Sequence, residues 1–270
     1  MVEDTNPEVS FASNENEIIE HPTKRLRFDW ILPVLFRPKK AFATITDQNR
    51  AVWLTPLLLL SLAVILNVMV SGSAQASLTP INQAPPPDFE YYSPEMQDQF
   101  YQAMQATTNP VFVYIFPLLT RLGGLWLGWL ILGGGIHLLL TLLGGRGDTG
   151  VTMNITAWAS LPLVLRDLVR ALAVLISRQS IQNPGLSGFV SDGAGRWALF
   201  AAAFLSLVDL YFIWQIVLLI LGARQASELP LSKTIIGVLV IVLLVSGLRA
   251  LVGFGVAQFG NMGASRPFFF

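Results

Sequence analysis

Residues 111–143 read VFVYIFPLLTRLGGLWLGWLILGGGIHLLLTLL, with Arg121 as their one formally charged residue. The run is continuously apolar and does not alternate apolar with polar, so it reads as a helix and excludes a barrel strand. Its 33 residues would reach about 50 Å at about 1.5 Å per residue, whereas hydrocarbon is about 30 Å thick. Such a helix must protrude, tilt or bend. Gly124, Gly128 and Gly135 fall on one face of it, where the missing side chains let a second helix approach closely.

Four further apolar runs flank this one, at 52–70, 155–176, 197–223 and 234–259. The expectation is an all-α integral membrane protein, a bundle of five transmembrane helices occupying residues 51–260. Composition points the same way. The chain is 53% hydrophobic and 13% charged, where soluble domains carry about a quarter charged residues. Seventeen basic residues balance seventeen acidic ones, so there is no basic excess to attract nucleic acid. The absence of cysteine removes disulfides, thiolate chemistry and cysteine-bound metal.

The segments between the runs have their own character. Residues 1–23 contain six acidic residues and little to bury, which predicts a disordered acidic tail. Residues 24–50 interleave Arg37, Lys39 and Lys40 with Trp30, Phe36 and Phe42. Pro33 and Pro38 divide the segment, and Pro38 is suited to open a short helix. This is the pattern of an interfacial helix whose apolar residues meet acyl chains and whose basic residues meet lipid phosphates, with Arg37, Lys39, Lys40 and Phe42 as expected lipid contacts. The loop 71–109 starts Pro-rich and then offers an amphipathic helix from Ser93 and Pro94, with Met96, Phe100, Met104 and Thr107 on one face. Residues 261–270 form a C-terminal tail ending in RPFFF.

The basic residues orient the bundle. With the N-terminus cytoplasmic, Lys24, Arg25, Arg27, Arg37, Lys39, Lys40, Arg50, Arg146, Arg224 and Lys233 lie inside, and only Arg178, Arg196 and Arg266 lie outside with the C-terminus. The loop 71–109, with four acidic and no basic residues, then lies outside as well.

Six charges remain within the runs: Arg121, Arg166, Asp167, Arg170, Asp209 and Arg249. A charge at mid-bilayer costs about 2.5–3.5 kcal/mol on the insertion scale, so such residues face partners, water or a ligand. Counting along the spans places Arg166, Asp167 and Asp209 near the midplane and Arg170, Arg249 and Arg121 toward the outer face. Asp209 is expected to pair with Arg166, Arg170 or Arg249. The plainest role for the cluster is an ion-pair lock between helices. The two alternatives are an anion or phospholipid site, since four arginines face two aspartates, and a conduction or proton path.

Other motifs carry less. GLSG at 185–188 has the form of an intramembrane serine nucleophile, but the only histidine within a span, His137, is near the opposite end of the bundle, out of reach of Ser187. GGRGDTG at 144–150 lacks the Lys-Ser/Thr ending of a phosphate loop and reads as a helix stop. Two histidines, His21 and His137, make no transition-metal site, and no cofactor is expected.

The order of these elements resembles a known family. Pro38, Ala41 and Phe42 in LPVLFRPKKAFATI, then Asp209, Ile213, Trp214 and Gly222 in VDLYFIWQIVLLILGARQASELPLSK, are similar to the Yip (Ypt/Rab-interacting protein) domain family of multi-pass membrane proteins, in particular its bacterial branch. The resemblance covers about residues 28–260. It implies a helical membrane bundle without established catalysis. Eukaryotic relatives act in membrane trafficking with Rab GTPases and with each other, a role with no counterpart in bacteria. The expected function is therefore non-enzymatic, membrane organisation or protein–protein interaction in a bacterial plasma membrane. Its partners would be the lipid bilayer, other membrane proteins or a second copy, and a bound phospholipid. The rival expectation is a transporter or channel for a small solute, anion or lipid, with Arg166, Arg170, Asp209 and Arg249 along the path.

Overall fold

A computed structural model describes residues 26–264 apart from 49, 83–84, 87, 180, 182 and 191–194, and the side chains of these except at 76–82, 103–108, 196 and 256–264. The acidic tail and the terminal RPFFF lie outside the described residues, as do the side chains of the expected face positions Met104 and Thr107. Every regular element described is helical: α1 (Ile31–Phe36), α2 (Pro38–Thr46), α3 (Leu54–Asn82), α4 (Pro94–Thr108), α5 (Phe116–Leu142), α6 (Thr149–Ala159), α7 (Leu161–Ser177), α8 (Gly195–Leu205), α9 (Leu210–Ser227) and α10 (Leu231–Ala264). A π-helical turn, Val111–Ile115, runs directly into α5. Among the described residues four helical stretches are long and apolar enough to cross a membrane: Leu54–Gln75, Val111–Leu142, Leu210–Ser227 and Leu231–Gly255.

The run at 155–176 is not one helix. It is divided between α6 and α7 at Ser160, because Pro162 in the first turn of α7 has no N–H to continue the ladder. The Ser160 hydroxyl donates back to the Thr156 carbonyl at 2.9 Å and accepts from Gln215 Nε2 at 3.0 Å, so polar side chains occupy the joint. The run at 197–223 is broken as well, between Leu205 and Leu210. Here Asp209 caps α9 by accepting the Phe212 N–H at 2.9 Å, and the carbonyls of Leu205 and Val208 both accept the Leu186 N–H, at 3.0 and 3.1 Å. Gly185 makes that approach possible. Its φ is +61°, and a Cβ would stand 2.7–2.8 Å from three carbonyl oxygens of residues 205–208. GLSG is thus a clamp on a helix break, with Ser187 Oγ donating to the Pro184 carbonyl at 2.7 Å and His137 sharing a hydrogen bond with Thr149 at 2.9 Å.

The chain ends of the helices define two sides of the bundle. On one, the basic side, α5 and α9 terminate together: Arg146 N–H donates to the Ser227 carbonyl at 3.3 Å, and Lys233 Nζ to the Leu143 carbonyl at 3.2 Å. On the opposite, far side, α7 meets the start of α9. Taken together, α6 and α7 therefore traverse the bundle. The basic half is packed around Trp158, Phe42, Ile45, Ile136, Ile155 and Leu218, all fully buried. Asn154 on α6 ties the entry to α3 into this core, accepting the Val52 N–H at 2.9 Å and donating to the Arg50 carbonyl at 2.8 Å. Trp158 Nε1 donates to the Val52 carbonyl at 3.0 Å. Trp53, Trp126 and Trp129 form a second cluster with centroids 5.0–6.2 Å apart.

The interfacial segment is two helices, with Pro38 in the first turn of α2. Phe42 is not a lipid contact. It is 0% exposed because Gly222 on α9 leaves a notch for its ring: a Cβ there would stand 3.2 Å from Phe42 Cδ1 and collide with Ile155. Arg37, Lys39 and Lys40 are exposed.

Candidate functional site

Toward the far side the helices part around a cavity of about 640 Å³ walled by α3, α5, α7, α9 and α10, within the span of about 300–1,000 Å³ usual for small-molecule sites. Its lining includes Arg121, Arg166, Asp167, Arg170 and Arg249. Five of the six charges singled out from the sequence thus converge on one space, and the sixth, Asp209, touches it through Arg170.

Their pairing is unequal. Arg170 Nη2 lies 3.0 Å from Asp209 Oδ2, bridging α7 to the start of α9. Asp209 is consequently not mid-helix: one oxygen caps α9 and the other holds Arg170. Arg166 Nε stands 3.4 Å from the carboxylate of Asp167, its neighbour in sequence, a contact that joins no two helices. Arg121 Nη1 donates to Asn67 Oδ1 at 2.6 Å, and Asn67 Nδ2 donates onward to the Asp167 carbonyl at 3.2 Å. Arg249 reaches from α10 to α5, where Nη2 donates to the Gly124 carbonyl at 3.4 Å.

The glycines of α5 explain that reach. A Cβ on Gly128 would overlap the Arg249 guanidinium, so Gly128 is the slot through which the arginine lies flat on the α5 backbone. Gly135 packs against α10 as close helix packing requires, with Ile241 Cγ2 only 3.0 Å from where its Cβ would be. Gly124 does not share that role: nothing lies within 4 Å of its missing Cβ, and it forms part of the cavity wall.

Sequence reasoning missed the uncharged polar residues of the site. Asn67, Ser160, Gln215 and Ser246 line the cavity and are buried. The signal for Asn67 and Gln215 was their isolation within apolar runs, since a polar side chain in such a place needs a partner.

The deep end is lined by Trp129, Leu132, Leu219 and Val242, which belong to or adjoin the buried clusters of the basic half. The site is a pocket with arginines toward the far side and apolar lining toward the basic half. Among the described residues no group of three or more His, Asp or Glu side chains is arranged to hold a metal.

A bundle with several apolar spans and such a pocket is that of an integral multi-pass membrane protein. The chain belongs to the Yip1 domain family, whose model matches residues 32–254, from α1 into the far part of α10. Neither a comparison with curated proteins nor one with solved structures finds a match. The residues that carry the likeness have structural parts to play. Pro38 stands in the first turn of α2, Ala41 and Phe42 are buried, Gly222 receives Phe42, and Asp209 caps α9.

Proposed function

We propose that this chain is a non-enzymatic membrane-organising protein that gathers anionic lipid at its basic side through α1 and α2, and that it crosses the bilayer five times with its N-terminus cytoplasmic. The kinked pair α6–α7 makes the third crossing in this reading. The observation that carries it is the division of the two short helices. Their inner faces are anchored in the core by Val34, Ala41, Phe42 and Ile45, with Trp30 buried just before α1. Their outer faces present Leu32, 66% exposed, and Phe36, 72% exposed, beside the exposed Arg37, Lys39 and Lys40. Apolar residues beside basic ones suit the headgroup boundary, where each basic residue attracts an anionic surface by about 1 kcal/mol. A rigid mount holds this patch at one depth, so lipids collect beside the bundle and a second membrane protein can meet them there.

What counts against transport is the packed basic half, which lies between the pocket floor and the opposite side. The test is reconstitution into vesicles containing a fluorescent phosphatidylserine. Wild type should enrich the labelled lipid around the protein, read as energy transfer from tryptophan, and the triple change Arg37→Gln, Lys39→Gln, Lys40→Gln should abolish the enrichment. Equal transfer from both proteins would sink the proposal.

A further inference from the structure

We infer that the far-side cavity binds a single-chain or two-chain lipid carrying a phosphate headgroup, with the phosphate among Arg121, Arg166 and Arg249 and an acyl chain on the apolar floor. This site is separate from the α1–α2 surface, and the inference does not rest on the reading given for that surface.

Charge supplies the first argument. Four guanidiniums face two carboxylates, leaving two positive charges unmatched around one cavity. Arg170 is engaged by Asp209. Arg121 and Arg249 make no ion pair among the described residues. Each guanidinium carries five N–H donors, yet Arg121 uses one on Asn67 and Arg249 uses one, at 3.4 Å, on Gly124. Both side chains remain exposed, within or at the edge of the cavity. Donors left open on fixed arginines fit phosphate oxygens, which accept from the planar fork in pairs.

Positioning supplies the second. Arg249 is not a snorkelling side chain thrown outward to headgroups. The Gly128 slot turns it inward across α5, and Asn67 holds Arg121 from the other side by a bond of 2.6 Å. Side chains fixed by their surroundings before a ligand arrives lose little entropy on binding.

The floor supplies the third. Below the arginines, toward the basic half, the lining is Leu57, Leu60, Leu132 and Val242. A free inorganic anion has no use for these surfaces, whereas an acyl chain gains about 25 cal/mol for each Å² removed from water. Basic walls over an apolar floor match a molecule that is anionic at one end and oily at the other.

The test uses the full chain in a sugar-headed detergent, with three probes: a lysophosphatidate, a monoacylglycerol of the same chain length, and inorganic phosphate. Native mass spectrometry and thermal shift report binding. The expected result is one lysophosphatidate per chain, held at least about tenfold more tightly than either other probe, with Arg249→Gln and Arg121→Gln each weakening it about tenfold, the effect of losing one charge-assisted hydrogen bond of about 1.4 kcal/mol. Arg224→Gln, an exposed change in the last turn of α9 on the basic side and apart from both lipid surfaces, should leave it unchanged. Equal binding of the monoacylglycerol would overturn the headgroup assignment, and equal binding of inorganic phosphate would overturn the lipid. Full binding by both arginine variants would remove the site from this cavity. The comparison among probes needs only wild type, so a variant that fails to fold does not rescue the inference.

Discussion

The two halves of this bundle are built from the same helices and behave as different materials. On the basic side Trp158, Phe42, Ile136, Ile155 and Leu218 are fully buried or nearly so, and the notch at Gly222 is filled by a phenylalanine ring. On the far side the same α3, α5, α9 and α10 stand around a cavity of about 640 Å³. The difference lies in what each helix brings to the shared space. Below, glycine faces an aromatic ring and the polar groups of Asn154 are consumed by Arg50 and Val52. Above, glycine faces an arginine, two helices are interrupted, and four guanidiniums line one cavity. The first half is closely packed, and the second holds charge that is only partly neutralised.

That contrast can be broken by experiment. The largest effect should come from Trp158→Ala, which deletes a fully buried indole and its bond to the Val52 carbonyl. A loss of about 3–5 kcal/mol is expected, read as a large fall in the thermal unfolding midpoint in detergent. Asp209→Ala should follow at about 3 kcal/mol, because it strands Arg170 and uncaps α9 together. Asp209→Asn should recover about 1 kcal/mol of that by restoring the cap alone, which separates the two duties of one side chain. Asn154→Ala should cost about 1–3 kcal/mol, by leaving a buried N–H and carbonyl without partners.

The smallest effects belong to the hollow half. Arg249→Gln should leave the unfolding midpoint where it is in wild type, since the arginine contributes one long hydrogen bond to the fold. Gly128→Ala should lift the guanidinium out of its slot, changing stability by no more than about 1 kcal/mol while weakening lysophosphatidate binding as Arg249→Gln does. Should either substitution unfold the protein as readily as Trp158→Ala, the far half would have to be counted as core, and the contrast drawn here would fail.

Much of the fold was legible because a membrane imposes a strict rule on sequence: backbone polar groups must be satisfied within the segment, so a long apolar run reads as a helix. The runs at 111–143 and 234–259 obey that rule and form helices over nearly those residues. The rule is silent about interruptions. Both breaks, at Ser160 and between Leu205 and Leu210, lie inside runs that are apolar apart from a few polar or charged residues. Pro162 and Asp209 mark them, but a proline or aspartate within an apolar run is also compatible with a kinked continuous helix. The outcome depended on partners from elsewhere, Gln215 for the first break and the Gly185–Leu186 turn for the second.

The site was legible in part for a similar reason. Charges in apolar runs are rare enough to be noticed singly, and Arg121, Arg166, Asp167, Arg170, Asp209 and Arg249 were all visible as residues that needed an explanation. Which of them pair was not visible, because pairing depends on helix rotation and crossing, which apolar residues of similar size leave undetermined. Phe42 shows the converse. Its place among arginines and lysines read as interfacial, and only the notch at Gly222, 180 residues away in the chain, turned it inward.

The sequence by itself determined that this is a helical membrane protein, with a basic side at its N-terminal end and a cluster of charges its apolar surroundings must accommodate, because hydropathy and charge act residue by residue and need no knowledge of neighbours. Only the tertiary structure decided that one arginine is locked, that two keep open donors, and that a cavity lies between them. Those outcomes depend on distances of a few ångströms between helices far apart in the chain, set by the glycines and helix breaks through which the helices approach or part.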